Sequence, residues 1–327
     1  MRPDVERWLG RRTSAASDWS AEALHAAKGA TRVSVVLPAL DEEDTIGAIV
    51  TTIRTELMAP APYALVDEVV VMDSGCTDRT VERALDAGAQ VVHRDDVLGR
   101  LRAGPGKGEV LWRSLGATTG DLIVFVDADL RSFRPDYVIG LLGPLLTDPS
   151  VALVKAAYDR PLRDGSSVLP AGGGRVTELV ARPLLNLHWP ELAGVVQPLA
   201  GEYAARRSLL ETLSFPTGYG VELALLVDTL RVAGLDAIAQ VDLGVREHRH
   251  HEDARLGLMA SEIWQVALRR LEREDRVRLR APLNPTLAQF ARVDGALVVH
   301  THDVELVERP PMLGVPEYTA ERGERAS

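Results

Sequence analysis

In the first half of the chain, short apolar runs alternate with segments of helical apolar spacing. Val33–Leu37, Val69–Met72, Val91–Val92 and Leu122–Val126 are too short for helices and too apolar for exposed loops, so they are predicted to be buried strands. Between them, Thr45–Leu57 sets Ile46, Ile49, Val50 and Ile53 on one helical face, with Asp44 as the expected N-cap. Asp78–Ala87 reads as a helix stopped by Gly88, and Lys107–Ala117 as a further helix. Residues 1–30 read as a polar, helix-prone lead-in with no core pattern of their own. The pattern loosens after residue 150. Val151–Ala157 and Ile238–Leu243 are predicted strands, 159–175 a Gly/Pro-rich loop, and Val176–Leu187, Val221–Val232 and Leu256–Arg270 helices. A tail from 281, with Pro282, Pro285, Pro310, Pro311 and Pro316, reads as an arm.

Strands alternating with helices imply an α/β fold: a doubly wound, mostly parallel sheet with helices on both faces. Such sheets bind ligands beyond the carboxyl ends of their strands. Asp41, Glu42, Asp73, Ser74, Asp127 and Asp129 all fall just past predicted strand ends. The second half offers no independent sheet. The expected organisation is therefore one catalytic unit: a lead-in (1–30), a first half that carries these strand ends (31–157), an acceptor-side extension (158–257) and a C-terminal helix and arm (258–327).

Composition narrows the classes. The 327 residues are 46% hydrophobic and 26% charged, the balance of a globular protein rather than a disordered one. A net charge of −10 disfavours nucleic acid or anionic membrane as the general partner, so an anionic ligand must meet a local basic pocket. Cys76 is the one cysteine, which excludes an intrachain disulfide and fits a reducing, cytoplasmic location. No apolar run is long enough to span a bilayer. Lysine occurs only at 28, 107 and 155, and Asn only at 186 and 284, as a GC-rich genome or selection against thermolabile amides would give.

Five segments carry candidate chemistry, the first three beside a plainer structural reading. Asp127-Ala-Asp129 follows the most apolar strand; two such carboxylates suit a divalent cation that also grips phosphate, or merely a turn. His248, His250 and His251 sit in an Arg-rich stretch that offers imidazole ligands, or a solvated loop. Gly172-Gly-Gly-Arg175-Val-Thr177 opens a helix with free backbone N–H groups, a guanidinium and a hydroxyl, suited to phosphate or carboxylate, or to a flexible connector. Pro105-Gly-Lys107-Gly108 sets a lysine at a helix start; it lacks the first glycine and the Ser/Thr of a Walker loop. No G-x-G-x-x-G follows the first strand, which disfavours a dinucleotide enzyme. Gly218-Tyr219-Gly220-Val221-Glu222 turns into a helix with an aromatic ring and a carboxylate that suit a sugar.

In order along the chain, Leu37-Pro-Ala-Leu-Asp-Glu-Glu43, Met72-Asp-Ser-Gly, Pro105-Gly-Lys-Gly-Glu109 and Val126-Asp-Ala-Asp129 resemble the donor half of a GT-A glycosyltransferase. Gly172–Pro183, Gln197-Pro-Leu-Ala-Gly-Glu-Tyr203, Gly218–Glu222 and Arg246-Glu-His248 narrow the resemblance to the actinobacterial glucosyl- and mannosyl-3-phosphoglycerate synthases, retaining enzymes of glycosyltransferase family 81. It spans about residues 32–250, with an echo at Arg309-Pro-Pro-Met312. The resemblance implies that Leu40, Glu42 and Ser74 meet the donor nucleoside, and that Lys107 and Asp127 flank the nucleotide. It implies Mg²⁺ or Mn²⁺ on Asp129 and His248, 3-phosphoglycerate on Gly174, Arg175, Thr177 and His250, and a sugar pocket of Leu199, Tyr219 and Glu222. Arg246 would lie near the leaving diphosphate; Asp129, Glu222 and Arg246 form the catalytic set. It further implies a cytoplasmic homodimer.

Asp41, Ala200 and His250 depart from the family's usual Asn, Gly and Asn. The donor stays open between UDP-glucose and GDP-mannose, with glucose first. Ionised, Asp41 only accepts hydrogen bonds, which suits guanine if it reaches the base and is a helix cap otherwise. Two other classes compete: a membrane-associated polyprenyl-phosphate glycosyltransferase, for which 256–270 is the sole amphipathic candidate, and a non-catalytic sugar-nucleotide binder.

Overall fold

The computed structural model describes residues 1–159, 162–164, 167–169, 174–245 and 253–326. Its strands are β1 (Thr13–Ala15), β2 (Val33–Ala39), β3 (Glu68–Asp73), β4 (Gln90–His93), β5 (Leu122–Phe125), β6 (Leu153–Asp159), β7 (Leu162–Asp164), β8 (Ser167–Leu169), β9 (Tyr203–Arg206), β10 (Phe215–Pro216), β11 (Ile238–Val245), β12 (Thr286–Val293), β13 (Ala296–Asp303) and β14 (Glu308–Arg309). The α-helices are α1 (Pro3–Arg12), α2 (Ala21–Lys28), α3 (Ile46–Leu57), α4 (Thr80–Asp86), α5 (Lys107–Ala117), α6 (Asp136–Thr147), α7 (Arg182–His188), α8 (Arg207–Leu210), α9 (Val221–Ala233), α10 (Asp253–Arg273) and α11 (Pro316–Ala326).

Among the described residues, eight strands form one sheet in the order β1-β11-β6-β9-β5-β2-β3-β4. Every pair in it is parallel except those of β9, which runs antiparallel to both β5 and β6. The two-residue period of a strand sends alternate side chains to opposite faces. Val36, Val70, Ile123, Phe125, Leu153, Tyr203 and Ile238 face α5, α7, α9 and α10. Val35, Val71, Val124, Val154, Ala204 and Val241 face α3 and α6. The expected doubly wound α/β layering is thus present, and β9 and β11 extend the sheet begun by the first half.

Five expectations need correction. The first 30 residues are part of the core: Val5 and Trp8 are fully buried, Trp8 Nε1 donates to the Ile238 carbonyl (2.8 Å), and β1 forms the sheet edge on β11. Their partners lie about 190–230 residues downstream, at Gly194 and Ile238–Asp242, where no local pattern reveals them. The N-cap position of α3 is Thr45, not Asp44; the Thr45 side chain makes no cap hydrogen bond, and its hydroxyl donates instead to the Ala128 carbonyl (2.6 Å). Within the 159–175 loop, the described residues form the paired strands β7 and β8. The arm is structured. Strands β12 and β13 pair from Thr286–Asp303 to Val293–Ala296, β14 pairs with β10, and α11 follows. The segment predicted as one helix after Val176 starts as a π-type stretch, Thr177–Ala181, before α7.

Candidate active site

The loops past the carboxyl ends of β2, β3 and β5 converge, as the parallel strands require. A cleft of about 150 Å³ opens there, lined by Asp41, Glu42, Glu43, Asp44, Thr45, Asp78, Asp129 and Arg131. Leu40 is 53% exposed at its rim, and the Glu42 amide donates to Thr80 Oγ1 (2.7 Å). The Ser74 amide donates to the Ala39 carbonyl (3.0 Å), which holds the β3 loop beside the β2 loop. Asp41 has φ +56°, and its Oδ1 accepts the Thr77 amide at 2.7 Å and the Asp78 amide at 3.3 Å. Its carboxylate therefore bridges two loops rather than capping α3. Asp41, Cys76 and Asp78 approach one another closely enough to share an ion, but Asp41 and Asp78 already accept backbone amides, and burial pushes the Cys76 thiol up to about 11. Asp129 shares the cleft with hard carboxylate oxygens, the donor type that Mg²⁺ and Mn²⁺ take.

The structure brings Asp127, beside Asp129 in sequence, together with two further predicted residues from other elements. Lys107, the first residue of α5, places Nζ 2.8 Å from Asp127 Oδ1 and 2.9 Å from Glu222 Oε1. Burial works against the ammonium, but the charges of Asp127 and Glu222 outweigh it and hold the Lys107 pKa well above its usual value. Close backbone approach makes the meeting possible. A Cβ on Gly108 would lie 1.8 Å from the Pro216 carbonyl oxygen, and one on Gly106 (φ +102°) 2.4 Å from that of Thr217. A Cβ on Gly201 would lie 2.2 Å from Asp127 Oδ1.

Tyr219, two residues beyond Thr217, donates its amide to Glu262 Oε2 (2.5 Å) and accepts a hydrogen bond from Arg255 at its hydroxyl (2.9 Å). Burial raises the Glu262 pKa. Leu199 is partly buried against the core beside the Gly201 turn. Gly174 and buried Thr177 start the π-type stretch with Arg175 exposed between them, and a Cβ on Gly174 would lie 4.0 Å from Gln197 Oε1. Arg246, His248 and His250 lie outside the described residues.

Sequence reasoning missed the clamp that fixes α5. Buried Glu109 pairs with Arg113 (2.6 Å) and with Arg309 of β14 (2.5 Å), while Arg309 also donates to the Arg102 carbonyl (2.7 Å) and Trp112 Nε1 to the Pro310 carbonyl (2.9 Å). The Arg309-Pro-Pro-Met312 echo was its signal. Lys155 was missed as well: it is one charged residue within the apolar run Val151–Tyr158, and it is 2% exposed.

The Glycosyl transferase family 2 model matches residues 34–171. A glucosyl-3-phosphoglycerate synthase of Mycolicibacterium paratuberculosis is 49% identical over 317 residues, covering 95% of this chain and 92% of that protein. The chain belongs to the glucosyl-3-phosphoglycerate synthases. One of Petrotoga mobilis is 45% identical and covers 88% of each chain. A crystal structure of the Mycobacterium tuberculosis enzyme with Mn²⁺, UDP-glucose and phosphoglyceric acid matches at a TM-score of 0.78 and 47% identity, over 90% of this chain and 95% of that one. The fold is accordingly that of the GT-A glycosyltransferases, and the protein is a glycosyltransferase.

The polyprenyl-phosphate alternative loses its one support. Ile263, Val266, Ala267 and Leu271 of α10 are buried in this chain's own core, so the apolar face of that helix is already covered. Among the described residues, no helix is long and apolar enough to cross a membrane.

Proposed function

We propose that this glucosyl-3-phosphoglycerate synthase transfers glucose from UDP-glucose to the 2-hydroxyl of 3-phosphoglycerate with retention at the anomeric carbon. The observation that carries the reading is Lys107 seated between Asp127 and Glu222 beyond the sheet's carboxyl edge, in a chain of this family. Leu40, Glu42 and Ser74 hold the nucleoside, and Lys107 and Asp127 flank the nucleotide. Leu199, Tyr219 and Glu222 shape the sugar pocket. Gly174, Arg175, Thr177 and His250 hold the acceptor, with Arg246 near the leaving diphosphate. Asp129 and His248 hold Mg²⁺ or Mn²⁺, whose charge, when the ion is bound, offsets that of the leaving diphosphate. In this division, residues 31–157 carry the donor, 158–257 the acceptor and 258–327 support, with 1–30 closing the sheet edge.

Glu222 is 4% exposed, and Lys107 engages one of its oxygens. A carboxylate so neutralised is a weak nucleophile, which favours same-face substitution by the acceptor hydroxyl over a glycosyl-enzyme intermediate. Lys107 engages one Glu222 oxygen, leaving the other to accept hydrogen bonds from sugar hydroxyls, and keeps Asp127 turned inward.

The protein acts in the cytoplasm, as its single cysteine suggests, and as a homodimer. Phe290, Leu297 and Val299 share one face of the β12–β13 hairpin and are 65%, 63% and 53% exposed, a surface that suits a second copy. Incubation with UDP-glucose or GDP-mannose, each with 3-phosphoglycerate and Mg²⁺ or Mn²⁺, tests the reaction. α-Configured glucosyl-3-phosphoglycerate by NMR is expected; preference for GDP-mannose, or an inverted anomer, overturns the reading. Light scattering should give twice the 35.5 kDa chain mass.

A further inference from the structure

One buried cation beneath the site has no part in the reaction described above. Lys155 of β6 points to the same sheet face as Tyr203 of β9 and Gln240 of β11, because the three are cross-strand neighbours in register. All are buried. Its Nζ donates to the Ala200 carbonyl at 2.5 Å and lies 4.8 Å from the centroid of the Tyr203 ring. The Tyr203 hydroxyl beside it is buried, with no hydrogen-bond partner among the described residues.

This row of side chains holds one segment from below. Gln240 donates to the Gly194 carbonyl (3.2 Å) and accepts the Val196 amide (2.9 Å); Gln197 Nε2 donates to the Tyr158 carbonyl (3.1 Å); Lys155 takes the Ala200 carbonyl. Ala200 in turn closes a turn onto the Gln197 carbonyl (3.1 Å). The next residue, Gly201, abuts the Asp127 carboxylate, and Leu199 precedes it. A methionine or leucine at 155 would fill the same space without the cost of burying an ammonium, so stability alone does not account for a lysine.

We infer that Lys155 is a positioning residue for sugar transfer: its ammonium fixes the Gln197–Gly201 turn, which sets Leu199 and the backbone against Asp127. The inference rests on the proposed reaction. The charged and titratable groups facing Lys155 are Glu222 of α9, Lys107 of α5, Glu202 and Tyr203 at the start of β9, and Asp127 after β5. Burial is the largest influence on Lys155 and lowers its pKa to about 8, with the carboxylates opposing and Lys107 reinforcing the fall. Its charge is lost as pH rises through that value, and the charge-assisted bond to the Ala200 carbonyl weakens to that of a neutral amine. Stability moves the other way. An unfolded lysine titrates near 10.4, so between about 8 and 10.4 the unfolded chain binds more protons, and this residue's contribution to stability rises with pH.

The test is the pH profile of single-turnover glucose transfer for wild type and Lys155→Met, with melting temperature and UDP affinity in Mn²⁺ measured alongside. Wild type should lose rate above pH 8 without losing thermal stability. Lys155→Met should bind UDP as wild type does, turn over at least about tenfold more slowly, and lack the alkaline limb. A variant rate within twofold of wild type, or an alkaline limb that survives in the variant, overturns the assignment. Should Lys155→Met not fold, a flat wild-type profile through pH 8 still overturns it and a limb there supports it. Failure of wild type to glucosylate 3-phosphoglycerate at pH 7 would refute the reaction itself; transfer with an unchanged variant profile refutes only the role of Lys155.

Discussion

Gly201→Ala is the smallest change that should disable the donor side while leaving the fold intact. A Cβ there would sit 2.2 Å from Asp127 Oδ1, 2.3 Å from Oδ2 and 2.4 Å from Cγ. Ordinary van der Waals contact needs about 1 Å more. Two movements could relieve the overlap, and both damage the site. Asp127 can swing away, but its Oδ1 is the 2.8 Å partner of Lys107. The 199–202 backbone can retreat, but the Ala200 carbonyl is held by Lys155 at 2.5 Å and the Glu202 carbonyl by the Ala156 amide at 3.0 Å. A displacement of about 1 Å in a reacting constellation costs on the order of 10²-fold in rate, equivalent to roughly 2.7 kcal/mol of barrier. The strain itself should cost about 1–3 kcal/mol of stability, as overpacking does. UDP release at varied UDP-glucose and saturating 3-phosphoglycerate measures the loss in kcat/KM, and calorimetry measures the fold. A variant turning over within threefold of wild type, or one whose defect lies only in the acceptor KM, would refute the reasoning.

Asp129→Ala should remove the charged ligand of the cleft, abolish the Mn²⁺ dependence of UDP binding seen by calorimetry, and lower kcat by at least about 10²-fold. Arg175→Ala should raise the KM for 3-phosphoglycerate by roughly one to two orders of magnitude, the worth of a charge-assisted bond, with the UDP-glucose KM little changed. Arg309→Met should leave Glu109 paired with Arg113 and so fold, yet release the Arg102 carbonyl and raise the UDP-glucose KM several-fold; equal KM values in steady-state kinetics would rule out a role for the C-terminal clamp.

The parts of the molecule legible in the sequence are those whose causes are local. Helix α5 runs from Lys107 to Ala117, the predicted bounds, because a Gly-Lys-Gly start and an apolar repeat need no distant partner. Strands β2, β3 and β5 were legible as apolar runs, and so was the gathering of carboxylates past their ends. Non-local causes hid the rest. Strand β1, Thr-Ser-Ala, has little strand character and exists because it pairs with Gln240–Asp242. The short strand β9, Tyr203–Arg206, owes its place to two neighbours that hydrogen-bond it. The prolines of the tail suggested an arm, and they flank the β12–β13 hairpin rather than interrupt it. At the site, Lys107, Asp127 and Glu222 were each legible, but not that the Lys107 ammonium joins the two carboxylates.

The antiparallel strand β9 has a consequence for how the chain is made. Sheet neighbours β5 and β6 lie on either side of it, and neither can complete its hydrogen bonding until Tyr203–Arg206 arrives. At cellular rates of about 5–20 residues per second, that wait lasts roughly several seconds on the ribosome. Through it, two apolar strands offer open edges, the template on which other chains add. Nascent chains stalled between Asp159 and Tyr203 should therefore be the aggregation-prone species of this protein and the ones that chaperones retain. For the same reason, a split into donor and acceptor fragments near residue 157 should yield pieces that become soluble only when co-expressed.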